Sequence, residues 1–111
     1  MAGKYVISKQ SNGEFHFVLK AGNGQVILSS ESYKAKASCI EGIDSVRKNS
    51  QIDGRYQSKT ASDGREYFVL IASNGQVIGT SQLYKAGDSR ENGIASVKEN
   101  GPSQTLEDNT V

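Results

Sequence analysis

Adding 51 to a residue number carries the first half of this 111-residue chain onto the second without a gap, from Tyr5 on Tyr56 to Asn49 on Asn100. Roughly half of the paired positions are identical, among them Phe17, Leu19, Asn23, Gly24, Ile27, Tyr33, Gly42, Ser45 and Asn49 with their counterparts. The fold must therefore be one that a unit of this size can build twice. Solenoids generally need at least three copies, so two copies point to a single pseudo-symmetric domain. The units run over 4–51 and 55–102, and "SQIDGR" from Ser50 to Arg55 is the natural joint between them.

Within each unit the pattern changes period once. Lys4–Lys9, Glu14–Ala21 and Gln25–Ser30 are short, rich in β-branched and aromatic residues, and separated by Gly and Asn, so they predict three strands. After Tyr33 the apolar positions Cys39, Ile43 and Val46 fall at i, i+4 and i+7, the spacing of one helix face. Ser38 with Glu41, and Asp88 with Glu91, have the spacing of capping boxes and predict where the helices start. Asn49 and "NGP" from Asn100 mark their ends. Each unit is then β-β-β-α, and the pair forms an α+β fold: one antiparallel sheet with both helices on one face.

The repeated "NGQVI" at Asn23–Ile27 and Asn74–Ile78 reads as a turn, because Asn-Gly between apolar runs is a hairpin signal. A three-residue loop with Gly24 left-handed sets Leu19 opposite Ile27 and Leu70 opposite Ile78. A two-residue turn would instead set Leu19 opposite Leu28, whose counterpart is Gly79. The first register keeps the shared large residues together and is preferred. Phe17, Leu19 and Ile27, with Phe68, Leu70 and Ile78, then line the helix-covered core. Gly42 and Gly93 sit inside the predicted helices, where Gly costs about 1 kcal/mol relative to Ala, and a close backbone approach is the reason to expect.

Thirteen basic and twelve acidic side chains leave a net charge of +1, which supplies no broad field for nucleic acid or an anionic membrane. Cys39 is the only cysteine, which favours a reducing compartment and a cytoplasmic location. No window approaches the roughly 18 apolar residues that span a bilayer.

Catalytic groups are equally sparse. His16 is the only histidine and becomes Tyr67 in the second copy; Cys39 becomes Arg90; Glu14, Glu31 and Asp44 become Arg65, Gln82 and Ala95. Neither a metal cluster, a Cys-His pair nor a carboxylate pair is indicated, and no cofactor is expected. Tyr33-Lys34 and Tyr84-Lys85 recur before each helix, either as rings closing the core edge or as exposed pairs for a partner. His16, Val18, Val26, Leu28, Tyr67, Val69 and Val77 are expected to point away from the helices. A bare sheet face is usually polar and this one is half apolar, which makes it the candidate interaction surface.

The segments from Phe15 to Asn49 and from Tyr67 to Asn100 resemble the YegP-like family of small bacterial and archaeal proteins of uncharacterised function. The elements that carry the likeness are Phe-x-Leu-x-x-x-Asn-Gly, Tyr-Lys and Gly-Ile-x-Ser-Val, each present twice. The resemblance implies two β-β-β-α units in one sheet, with a segment after a helix adding a strand to the other unit, and it carries over no catalytic residues. The reading is a monomeric, cytoplasmic, non-enzymatic domain that binds a protein or peptide through the helix-free face or an edge strand. A sequence-tolerant nucleic-acid binder using His16 and Tyr67 is the alternative, and an undetected enzyme a third. Residues 103–111 hold too few apolar side chains to pack and are expected to be largely mobile.

Overall fold

The computed structural model describes residues 3–110. Strands β1 (Lys4–Lys9), β2 (Phe15–Lys20) and β3 (Val26–Ser29) lead to helix α1 (Lys36–Asn49); a short 3-10 turn (Asp53–Arg55) opens the second unit of β4 (Tyr56–Thr60), β5 (Glu66–Ile71), β6 (Val77–Thr80) and α2 (Gly87–Asn100). A further strand, β7 (Leu106–Asp108), follows α2. One sheet holds all seven strands in the order β4-β5-β6-β3-β2-β1-β7. It is antiparallel except where β7 runs parallel to β1. The two halves meet where Ser29 pairs with Thr80. These residues are counterparts under the repeat, so the pseudo-twofold axis passes between them.

Two further counterpart pairs touch on the same axis. A Cβ built on Gly79 would lie 2.5 Å from Cδ2 of Leu28, and one built on Gly101 would lie 2.6 Å from Cβ of Ser50. Tyr5 of the first unit donates its hydroxyl to the Gly101 carbonyl at the end of α2 (2.7 Å), and Tyr56 of the second donates to the Ser50 carbonyl at the end of α1 (2.9 Å). Arg47 lies 5.2 Å over the Tyr5 ring and Lys98 lies 5.7 Å over that of Tyr56. The two hydroxyl bonds thus tie each unit to the other's helix in the same way, while each tyrosine ring is covered by a cation from its own unit's helix. Burial pushes both phenol pKa values upward.

The six side chains expected to form the core do so: Phe17, Leu19, Phe68 and Leu70 are fully shielded, and Ile27 and Ile78 are 5% and 7% exposed. The Gly22-Asn23-Gly24 loop also forms, with Gly24 at φ +84° and Ala21 closing the hairpin through bonds to Gln25 and Gly24. Beyond it the expected register fails. Lys20 pairs with Val26, a bulge follows, and Leu19 faces Leu28 while Leu70 faces Gly79. The bulge absorbs Ile27, so both Ile27 and Leu28 enter the core. Gly79 looked like a poor partner for Leu70, but its missing side chain is the space that Leu28 fills from across the axis.

The helices start earlier than the capping boxes predict. Ala35 and Ala86 occupy the cap positions with no side-chain cap bond, and Ser38 and Asp88 lie inside the first turn. A bridge between Phe15 and Tyr33, and another between Glu66 and Tyr84, fixes the chain just before each helix. Tertiary pairing therefore sets the helix start in place of local capping. Gly42 and Gly93 allow a close approach of Tyr rings: a Cβ at Gly42 would sit 2.9 Å from Cζ of Tyr33, and one at Gly93 2.7 Å from Cζ of Tyr84. Tyr33 stacks on Phe17 at 6.3 Å and Tyr84 on Phe68 at 6.5 Å, so these rings close the core edge. At the helix ends Asn49 donates to the Ser45 carbonyl and Asn100 to that of Ser96, both at 2.8 Å.

The segment after residue 103, expected to be largely mobile, is docked as β7. Tyr5 donates to the Thr105 carbonyl and Asn109 to that of Ile7, at 3.0 and 2.9 Å. Lys4 pairs with Glu107 at 2.6 Å, and Lys36 pairs with Asp108. Backbone pairing and ion pairs hold the strand, which a count of apolar residues does not register.

Two outcomes test this arrangement. Gly79→Leu alone should lose about 1–3 kcal/mol to overpacking, and Leu28→Gly alone should lose about 2–5 kcal/mol to the cavity it leaves. Combining them should recover at least about 1 kcal/mol relative to the sum in urea denaturation, and strict additivity would separate the two sites. The second concerns β7. Lys36 and Thr110 hold the Asp108 carboxyl at about 2, below its ordinary value, so its contribution is present above the usual carboxylate range and is lost as pH falls toward 2. Nuclear Overhauser contacts between Tyr5 and Leu106 should fade between about pH 4 and pH 2 while those between β2 and β3 persist. A tail still docked at pH 2 would show that the ion pair is not what holds it.

Candidate functional site

Alternation along each strand sorts the candidate residues. Residues flanking Phe17, Leu19, Phe68 and Leu70 in sequence point to the face that the helices leave bare. His16, Val18, Val26, Tyr67, Val69 and Val77 lie on that face by the observed pairing. Leu28 does not: the bulge turns it into the core, where it is 0% exposed. Val69 is on the face yet only 4% exposed, as Val6 is at 6%, whereas Val26 is 37% exposed.

The pairing assembles a row straight across the sheet: Gln57, Val69, Thr80, Ser29, Val18 and Val6. It reads the same from either end under the repeat, since Val6 and Gln57, Val18 and Val69, and Ser29 and Thr80 are counterparts. Six strands at about 4.8 Å spacing make the row about 24 Å long. Apart from Gln57 its side chains are short, while the longer His16, Tyr67, Lys20 and Lys59 stand beside it. Val6, Ser29, Thr80 and Gln57 were missing from the sequence expectation. The period-2 alternation of β1, with Tyr5 and Ile7 inward, would have supplied Val6; Ser29 and Thr80 needed the half-to-half pairing, which no local signal encodes.

The chemistry available here is that of contact. Among the described residues His16 has its Nδ1 buried with no hydrogen bond, and no acid is bonded to it to make a base of it. Cys39 lies in the core, and burial pushes its thiol up to about 11, away from the thiolate that a nucleophile requires. Among the described residues no three His, Cys, Asp or Glu side chains gather as metal ligands, and no helix is long and apolar enough to cross a membrane. Tyr33 and Tyr84 are spent on the core edge, leaving Lys34 and Lys85 as exposed neighbours.

The edges of the sheet differ. β1 is apolar at Val6 and Ile7 and covered by β7. Its counterpart β4 ends the sheet with Gln57, Ser58, Lys59 and Thr60 all exposed, and the Tyr56 N–H is taken by the Asp53 carbonyl of the 3-10 turn. Polar residues, a lysine and a self-bonded first amide are devices that protect an edge from pairing. The sheet face is therefore the better candidate than the β4 edge.

Comparison with known proteins places this architecture. A family described as "Domain of unknown function (DUF1508)" matches twice, over residues 10–57 and 61–108. The chain is 58% identical over 110 residues to the UPF0339 protein YegP of Escherichia coli strain K12, covering 99% of this chain and 100% of that protein. It is 54% identical to a UPF0339 protein of Acinetobacter baylyi, covering 99% of each. The solution NMR structure of yegP from E. coli, a protein of unknown function, matches with a TM-score of 0.94 at 58% identity, over 99% of this chain and 95% of that one. That of a UPF0339 protein from Shewanella oneidensis matches with a TM-score of 0.94 at 52% identity, over 99% and 93%. With both repeats matched, the fold shared and identity sustained from end to end, the chain belongs to the YegP-like UPF0339 family of tandem DUF1508 domains.

Proposed function

We propose that the protein is a non-enzymatic binding domain that docks a protein or peptide segment across its helix-free sheet face. The observation that carries this reading is the row from Gln57 to Val6. Short β-branched and hydroxyl side chains form a low strip across five strands, ended on β4 by the longer Gln57, with both helices on the opposite face and with longer side chains standing to its sides. A strip of this kind offers flat contact with hydroxyl groups for hydrogen bonds and leaves discrimination to the flanking His16, Tyr67 and lysines. The duplicated halves already satisfy each other across the axis, which favours a monomer, and the single reduced, buried Cys39 favours the cytoplasm.

One observation favours a second reading, a sequence-tolerant nucleic-acid binder. Lys20 and Lys59 stand on this face without a salt bridge among the described residues, beside the His16 and Tyr67 rings on which bases could stack. The net charge of +1 argues against it.

A photo-crosslinking side chain placed at Ser29 or Thr80 should trap protein in cells, and the same group at the exposed Glu99 on α2 should not. Adding Val18→Lys should remove the product without a large change in melting temperature. Equal labelling from Glu99 would refute the face as a site. Products that are nucleic acid, with binding that falls steeply as salt rises, would transfer the claim to the second reading.

A further inference from the structure

Away from the sheet face, charge collects where the fold has no evident use for it. Between the C-terminal half of α1, the turn into β4 and the β5–β6 loop lies a cavity of about 380 Å³. Helix α1 lines it with Glu41, Asp44, Ser45 and Lys48, the turn contributes Arg55, and the loop contributes Ser73. The helical residues fall at i, i+3, i+4 and i+7, one face of the helix turned toward one hollow. Asp44 is engaged by Arg47 at 2.7 Å. Glu41, Lys48 and Arg55 form no salt bridge among the described residues. The Nε of Arg55 is shielded from solvent and makes no hydrogen bond among the described residues, which leaves its terminal nitrogens as the donors for the cavity.

The repeat supplies an internal control. The same location in the other half has the same framework, with Ser96 and Asn100 making the bond that Ser45 and Asn49 make. All four ionisable positions differ there: Glu41, Asp44 and Lys48 are replaced by Asn92, Ala95 and Glu99, and Arg55 by Lys4, which is paired with Glu107. The chain also closes in. Gly3 packs so tightly that a Cβ on it would collide with the Lys20 carbonyl and approach Asn100, while its counterpart Gly54 has nothing within 4 Å. The cavity is therefore not a by-product of the shared fold.

We infer that this cavity binds a small organic anion, with Arg55 and Lys48 holding its carboxylate or phosphate group. Two unpaired cations against one unpaired carboxylate set the sign of the ligand. The planar fork of Arg55 fits two oxygens of either head group, and Lys48 adds a point charge. Glu41 then accepts from an ammonium or hydroxyl elsewhere on the molecule. The volume lies at the lower end for ligand sites, which limits the ligand to metabolite size. This site is independent of the sheet face: its residues lie on α1, the inter-unit turn and a loop.

Titration of the ¹⁵N-labelled full chain with sodium succinate, L-glutamate and inorganic phosphate tests the inference and separates the two head groups. Sodium chloride at matched ionic strength is the control. At least one probe should produce saturable shifts at the amides of Ser45, Lys48, Arg55 and Ser73 while those around Lys4 and Asn100 stay still. Arg55→Gln and Lys48→Gln should each weaken binding by about tenfold or more, as expected for loss of a charge-assisted hydrogen bond. Lys4→Gln should leave binding unchanged, with melting temperatures confirming that all three variants fold. Three results would each overturn the site: chloride reproducing the shifts, no probe saturating at millimolar concentration, or Arg55→Gln binding as tightly as the parent.

Discussion

Everything in this molecule depends on closure about a pseudo-twofold axis along which residues meet their own counterparts. In the sheet the seam is a single register pair, Ser29 with Thr80. So short a seam is a weak joint in backbone terms, and the surrounding side chains make it strong. Each helix spans the seam, α1 packing on β2, β5 and β6, and α2 on β5, β2 and β3. Leu28 reaches over to Gly79, and each of Tyr5 and Tyr56 bonds the end of the opposite helix. Without this closure each unit would expose half of a core whose large buried side chains are each worth about 1.5–3 kcal/mol.

The same closure explains what could be read from the sequence and what could not. Elements whose signals lie within one unit were legible: the strands, the helix ends at Asn49 and Asn100, the left-handed Gly24 and the six core side chains all follow from period and turn chemistry. Features decided by the other unit were not. Whether Leu19 faces Ile27 or Leu28 depends on a space at Gly79 that only the assembled sheet reveals. Whether Ser38 caps α1 depends on the Phe15–Tyr33 bridge, which starts the helix before Ser38 is reached. The candidate surface inherited the register error at Leu28 alone, since the other six residues lie beyond the bulge or on strands it does not shift. The cavity at Arg55 left no trace in the sequence because its lining comes from a helix, a turn and a loop of different units.

The placement of β7 follows from the period as well. Adding 51 to Lys4 gives Arg55, the residue before β4, and adding it again gives Leu106, where β7 begins. The strands β1, β4 and β7 are thus three occurrences of one element, and the matched family segments, ending at residues 57 and 108, each reach into the strand that follows a helix. Only two places for this element exist beside the antiparallel hairpins. β1 holds the place next to β2, with Tyr5 bonded to the end of α2, and β7 has Glu107 where that tyrosine would be. β7 therefore lies outside β1, and it runs parallel because both are the same element pointing the same way.

The contact between Leu28 and Gly79 makes the two halves unequal at the axis. At a true symmetry axis a residue confronts its own image, so bulk on one side means bulk on both, and such positions stay small. Once two copies travel on one polypeptide, that restriction is lifted and one can grow into the room the other vacates. The step works as a ratchet: after it, neither part can pair with a duplicate of itself without a collision or a hole.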